Sequence, residues 1–385
     1  MKRGNEEIKD ETSPLPAKRF HCQEISTAED INIPLDLTVE ILKKLPAKSL
    51  VRFQCVSKQF ASIIGSSRDF IESIVTRSLS QPSRDTHLIF HHLSVNKFPR
   101  TDFFIFSSTY HRNIDKESVS ILWGLFQYVH GLIFCWSTVY PEAAIYNPTT
   151  RQSLCLPEME TAAGNLHLST SFLGYDPFKN QYKVICLQNY MRWSCHVFTL
   201  GDPTRKWRKI QYNFGLHLPL LPPVCIKGTI YYQAKTKQYG STSTYVLMCF
   251  DVRSEIFDQV EAPKTMMDHR CTLINYQGKL GFMCCHKGVE IWVMENDDEK
   301  KQEWSKIFFY ETEGFEKWHI AGATRGGEIV FVNKELQCYQ TLYVYYYDPK
   351  RNSMRSVEVD GTMYRRKHLV HIWAVPDHVE NTMRL

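Results

Sequence analysis

The chain has 385 residues, 43% hydrophobic and 23% charged, an ordinary globular composition that excludes a wholly disordered, collagenous or coiled-coil protein. Its 46 basic and 41 acidic residues leave a net charge of +5, so bulk electrostatics gives no reason to expect nucleic acid or membrane binding. The aromatic content of 13% leans toward β structure, because flat side chains pack well on a pleated surface.

Residues 1–30 carry five basic and seven acidic residues with Pro14 and Pro16, too little apolar surface to offset chain entropy, and are expected to be a disordered tail. Met1–Glu7 lacks the apolar core of a secretion signal. The cysteines fall mainly inside apolar runs such as Phe134-Cys135-Trp136, with no Cys-x-x-Cys pair, so reduced structural thiols are expected. A cytoplasmic or nuclear location agrees with both features. Residues 118–140 hold no Lys, Arg, Asp or Glu, but Gln127 and the pair His130-Gly131 favour two buried strands over a membrane span.

Residues 31–79 read as a helical module. Leu37, Ile41, Leu42 and Leu45 fall on one helical face, with Asp36 placed to cap the start and Pro46 to end it. A second helix is expected from Pro46 with Leu50 and Phe53, and a third after Ser57 with Phe60, Ile63 and Ile64. Three short helices cannot bury all these groups among themselves, so the large domain or another protein must cover the remainder.

From about residue 85 to 375 the hydrophobic period changes to two, and short strands alternate with turns. No helical pattern interrupts them, so antiparallel pairing is expected. Turns at Asn147, Asp202, Asp251, about Asp297 and Asp348 recur at intervals of 55, 49, 46 and 51 residues, and one period back lies Asn96. Glycine-opened strands recur at Gly131, Gly228, Gly278 and Gly327. A period of about 50 with four strands per unit is the mark of a kelch-like β-propeller, here with about six blades. An irregular β-sandwich is the competing reading. Residues 376–385 are set apart as a C-terminal tail.

The helical segment resembles an F-box: Ile33-Pro34-Leu35-Asp36-Leu37, Glu40-Ile41-Leu42, Leu45-Pro46-Ala47-Lys48-Ser49-Leu50, Arg52-Phe53 and Val56-Ser57-Lys58 match its order and spacing. Phe60 stands where many F-boxes carry tryptophan, and the usual Asp-Pro-x-Phe ending is altered to Ser67-Arg68-Asp69-Phe70. His130-Gly131-Leu132-Ile133, Tyr146-Asn147-Pro148-Thr149-Thr150-Arg151 and Leu173-Gly174-Tyr175-Asp176-Pro177 resemble the plant F-box-associated interaction domain, type-3 branch. The resemblance implies a non-catalytic substrate receptor of a Skp-cullin-F-box ubiquitin ligase. The F-box would dock on a Skp-like adaptor, which brings the cullin and RING subunits, and the β domain would select the protein to be ubiquitylated. Pro34, Leu37, Ile41, Leu45, Leu50, Val56 and Phe60 are the expected adaptor-binding residues, some of which must instead pack the interior. A non-degradative scaffold and a propeller enzyme are the alternatives.

No motif demands a cofactor. There is no Gly-x-Ser-x-Gly elbow or phosphate loop. His368 and His371 would point to opposite faces of a strand, and Cys284-Cys285-His286 is too cramped for zinc. The basic clusters around Trp207 and at Arg365-Arg366-Lys367 read as solvated turns, with Trp207 buried in its blade. Loops 158–165, 216–223 and 235–243 are candidate substrate surfaces on length alone.

Overall fold

The computed structural model describes residues 33–81, 87–93, 101–107, 124–137, 142–159, 169–190, 192–215, 217–220, 222–236, 244–264, 271–284, 289–295, 303–310, 318–333, 335–336, 342–359 and 370–385. The tail 1–30, the turns expected at Asn96 and Asp297 and the cluster Arg365-Arg366-Lys367 lie outside them.

Four helices open the described chain: α1 (Leu35–Lys43), α2 (Ala47–Phe53), α3 (Lys58–Ser66) and α4 (Arg68–Ser80). Ser57 caps α3 as expected, its side chain accepting from Phe60 N at 3.1 Å. Two details differ from the sequence reading. Asp36 lies within the first turn of α1, where its charge faces the positive end of the helix dipole, and Pro34 holds the cap position. The fourth helix was not anticipated: Ser67 caps it, and Phe70, Ile71, Ile74, Val75 and Ser78 form its buried side. Leu42, Leu50, Ile64, Phe70 and Ile74 meet in one small core, with Leu45, Phe53 and Phe60 packed around it. Arg77 of α4 donates to the Leu45 carbonyl at 2.8 Å, so α4 also serves the orphan carbonyls after α1.

The described strands of the rest form six antiparallel sheets. Gly124–Val129, Leu132–Ser137, Ala143–Asn147 and Gln152–Cys155 make blade 2. Ser169–Asp176, Gln181–Tyr190, Arg192–Thr199 and Arg208–Ile210 make blade 3. Blade 4 starts with two short strands, His217–Pro219 and Val224–Ile226, both paired to Thr229–Thr236, then Thr244–Asp251 and Ile256–Val260. Blade 5 holds Cys271–Tyr276, Lys279–Cys284, Val289–Met294 and Trp304–Tyr310. Blade 6 holds Trp318–Ala323, Ile329–Asn333, Leu342–Asp348 and Ser353–Val359. Blade 1 closes the ring: Val370–Val375, from the end of the chain, pairs with His87–Leu93, which pairs with Thr101–Ser107.

The repeat seen in the sequence has a physical basis in two kinds of turn. The first and second strands of blades 2, 4 and 5 join through His130-Gly131, Lys227-Gly228 and Gln277-Gly278, each with both residues at positive φ. This is type I′ geometry, which glycine adopts without strain. The third and fourth strands join through a turn opened by Asn or Asp. Asn147, Asp251 and Asp348 accept from backbone N–H groups two or three residues on, and Arg151, Glu255 and Asn352 close those turns at positive φ. Tryptophans link neighbouring units. Trp207 Nε1 donates to the Pro157 carbonyl and Trp304 Nε1 to the Glu261 carbonyl, both at 2.8 Å. Trp207 is accordingly only partly buried, lying over Phe198 at 5.5 Å.

Apolar side chains from adjoining blades interdigitate around the ring. Phe134, Trp136 and Ile145 meet Leu173, Tyr182 and Phe198, while Phe172 and Val197 meet Ile230 and Phe250. Gly174 is needed at the boundary of blades 3 and 4: a Cβ there would lie 2.5 Å from Val252 and 2.8 Å from Ile230. Two buried polar side chains bridge blades. Gln127 of blade 2 both donates to and accepts from the Leu173 backbone, at 3.0 and 2.7 Å. Lys183 of blade 3 donates to the Val252 carbonyl at 2.6 Å and to Glu255 at 2.7 Å.

The cysteine expectation is corrected at one place. Cys271 and Cys284 form a disulfide, because they are directly opposed across the hairpin with Cα atoms 4.4 Å apart. Cys55, Cys135, Cys155, Cys186, Cys195, Cys225 and Cys249 are free.

Candidate functional site

The structure divides the seven residues expected to bind an adaptor. Leu50 is completely buried in the helical core, and Leu45 and Phe60 pack against that core. Phe60 also meets Phe53 edge-on at 5.9 Å, so its aromatic ring holds α2 to α3. Leu50 is thus corrected from a docking residue to a packing residue. Its side chain fills the space between helices and presents no surface. Pro34, Leu37, Ile41 and Val56 are exposed, with Leu37 at 57%, Ile41 at 51% and Val56 at 67%.

Leu37 and Ile41 lie one turn apart on α1, opposite the side that buries Leu42. Ile33 and Leu35 add exposed apolar surface at the start of α1, and Val56 lies in the turn between α2 and α3. Exposed aliphatic side chains gathered in so small a module are a signature of a docking surface rather than of a solvated one. Residues 33–66 hold five cations, Lys43, Lys44, Lys48, Arg52 and Lys58, against the anions Asp36 and Glu40. An approaching partner therefore meets apolar side chains set among excess positive charge.

The other side of the helical module faces the propeller end that carries the tight turns. Asn180 donates to the Arg68 carbonyl at 3.1 Å, the Tyr175 hydroxyl donates to Glu72 at 2.9 Å, and Arg325 donates to the Ser78 carbonyl at 3.0 Å. The antiparallel meander then fixes where the remaining connections leave. The link between second and third strands, and the link from one blade to the next, depart from the end remote from the helices. Candidate loops 158–165 and 235–243 start from that end, and their central parts lie outside the described residues. The third candidate, 216–223, is largely a strand: His217–Pro219 pairs with Thr229–Thr236, and His217 is buried against Tyr212 at 2.8 Å and Tyr232 at 3.1 Å. Leu218 keeps an exposed side chain there.

On the propeller axis lies a cavity of about 690 Å³, lined by inner-strand residues of several blades and, at the helical end, by Leu79 of α4. Its titratable groups are poorly suited to covalent chemistry. Burial pushes the Cys225 thiol up to about 11, which keeps it protonated, and brings His130 down to about 4, which keeps it neutral. Arg325 is committed to the Ser78 and Leu79 carbonyls and lies 3.6 Å from Asp377. Trp373 and His319 meet edge-on at 5.0 Å.

The sequence reading missed Arg325 and Asp377, which join the propeller to α4, because nothing in their local pattern marks a contact with residues about 250 positions away.

Comparison with known proteins identifies both parts of the chain. The F-box domain family matches residues 31–72, and the F-box associated beta propeller domain family matches residues 77–379. A protein of Arabidopsis thaliana that carries an F-box name is 72% identical over 385 residues, covering 100% of both chains. A second is 58% identical over 312 residues, covering 79% of this chain and 100% of its own. An F-box protein of the same organism is 41% identical over 392 residues, covering 94% of this chain and 89% of its own. The chain belongs to the F-box proteins that carry an F-box-associated β-propeller domain.

Proposed function

We propose that this protein is the substrate-recognition subunit of a Skp-cullin-F-box ubiquitin ligase. Leu37, Ile41 and Val56, with Pro34, dock on a Skp-like adaptor, which brings the cullin and RING subunits. The propeller end remote from the helices receives the target protein. No residue of this chain needs to react, because holding a target beside a charged ubiquitin carrier replaces a bimolecular encounter with a local one. The observation that supports this reading most directly is the pairing of a family-matched F-box with aliphatic side chains left exposed on the side away from the propeller.

The test is co-purification of the full chain with a Skp-like adaptor, with stoichiometry from light scattering and affinity from calorimetry. A one-to-one complex is expected. Leu37→Ala combined with Val56→Ala is expected to weaken it at least tenfold, since truncating centrally placed apolar anchors typically costs more than about 1 kcal/mol each. Unchanged affinity in the folded double variant would overturn the docking assignment.

A further inference from the structure

The last nine residues, set apart in the sequence as a tail, are wedged between the helical module and the propeller. Asn381 is completely buried and uses every polar atom it has. Its backbone N–H donates to Thr149 Oγ1 at 3.0 Å, and its carbonyl accepts from Asn147 Nδ2 at 2.9 Å. Its Nδ2 donates to the Tyr182 hydroxyl at 2.7 Å and to the His130 carbonyl at 3.3 Å, and its Oδ1 accepts from Met383 N at 2.9 Å. Asn147, a repeat-turn residue, also donates to the Met383 carbonyl at 2.9 Å. These bonds fasten the segment to blades 2 and 3.

The adjacent residues fasten the same segment to the helices. Thr382, also completely buried, donates from Oγ1 to the Ile64 carbonyl at 2.9 Å and accepts on its own carbonyl from Gln54 Nε2 at 3.1 Å. Arg384 N donates to the Gly65 carbonyl at 3.0 Å, and Glu380 N donates to Ser78 Oγ at 3.0 Å. Val379 and Met383 pack against Ile71 and Val75 of α4. Two glycines make room: a Cβ on Gly131 would lie 2.7 Å from the Asn381 side chain, and one on Gly65 would lie 3.2 Å from Arg384 Cβ. Alternate residues thus bond to opposite partners, Asn381 to the propeller and Thr382 to the helices.

We infer that residues 377–385 are a positioning clamp that holds the helical module and the propeller in one fixed orientation. Two domains joined only by a covalent connection move relative to each other by default. Here a buried, fully hydrogen-bonded segment removes that freedom, because leaving any of these polar groups unpaired in the interface costs the full desolvation penalty. The clamp stands on these bonds alone. Its consequence, that the remote end of the propeller is held at a set distance and direction from the adaptor, rests on the ligase reading.

The test is a distance distribution between spin labels placed on the full chain at Lys48 and Arg351, both exposed. Labels carried on noncanonical amino acids leave the twelve cysteines untouched. The wild type is expected to give one narrow distribution. Gln54→Ala with Thr382→Val removes only bonds to the helices and is expected to broaden the distribution at least twofold, with the near-ultraviolet spectrum of the propeller unchanged. Deletion of residues 380–385 is expected to broaden it further, and if that chain does not fold the double variant decides. A broad distribution in the wild type, or a double variant superimposable on it, would overturn the clamp. Adaptor capture is expected to be equal in wild type and double variant. Failure of the wild type to bind the adaptor would count against the ligase reading and leave the clamp standing.

Discussion

Lys183 is a cation buried where blades 3 and 4 meet, and Glu255 is what makes that burial tolerable. Burial by itself raises the Glu255 pKa. Hydrogen bonds from Arg208 and Lys183 outweigh it and hold the carboxyl below its ordinary value of 4.5. Its folded pKa is depressed, so its stabilisation is present above the unfolded value and is lost as pH falls through the folded one. His130 acts earlier on the same descent. Burial lowers it from 6.5 to about 4, so between those values the unfolded chain binds a proton that the folded chain refuses. Stability should therefore fall in two stages on acidification, first below about pH 6.5 and again below the ordinary carboxyl range. Urea midpoints measured against pH would show it. His130→Asn, which retains a residue tolerant of the positive φ of 47°, should flatten the first stage only. Glu255→Gln leaves Lys183 short of its counter-charge and should cost about 3 kcal/mol at neutral pH. A flat profile in the wild type would dismiss the scheme.

Secondary-structure elements obey rules that were mostly readable in the sequence. Asn147, Asp251 and Asp348 announced their turns because a short side-chain acceptor and a left-handed fourth residue are local chemistry. The pairs His130-Gly131 and Gln277-Gly278 announced two-residue hairpins for the same reason. The disulfide followed from that hairpin, since Cys271 and Cys284 lie six residues to either side of its turn, but the reading by buried thiols overlooked this symmetry. Helix α4 was also legible in hindsight: Ser67 precedes apolar residues at helical spacing through Val75. Other features needed the third dimension. Gln127 looked like a polar interruption and is a strand-edge partner for Leu173, and Leu50 could not be separated from Leu37 because both lie in apolar helical patterns. Gly174 belongs to this second group, being a strand glycine with no turn to explain it. Gly174→Ala should cost about 1–3 kcal/mol by forcing Val252 and Ile230 off their positions. Chemical denaturation measures it, and a neutral result would mean that the blade boundary yields without strain.

At the scale of the whole molecule the blades share cores, so no blade is complete without its neighbours, and closure of the ring depends on the strand Val370–Val375. Trp373 on that strand is the side chain most exposed to this dependence. It lies 6.1 Å from Phe126 of blade 2 and 5.0 Å from His319 of blade 6, so one ring touches the blades on both sides of the closure. Truncating a large packed aromatic typically costs about 3–5 kcal/mol, and the partial exposure of Trp373 places it at the lower end. Because the same strand runs on into the segment that holds Asn381 and Thr382, loosening it should be felt by the helices too. Trp373→Ala is therefore expected to lower one shared melting transition, seen equally by near-ultraviolet circular dichroism for the aromatic propeller and by far-ultraviolet signal for the helices. Two separated transitions in the wild type, or a variant that shifts the propeller signal and leaves the helical one in place, would mean that the two parts unfold independently and that closure of the ring ends at blade 1.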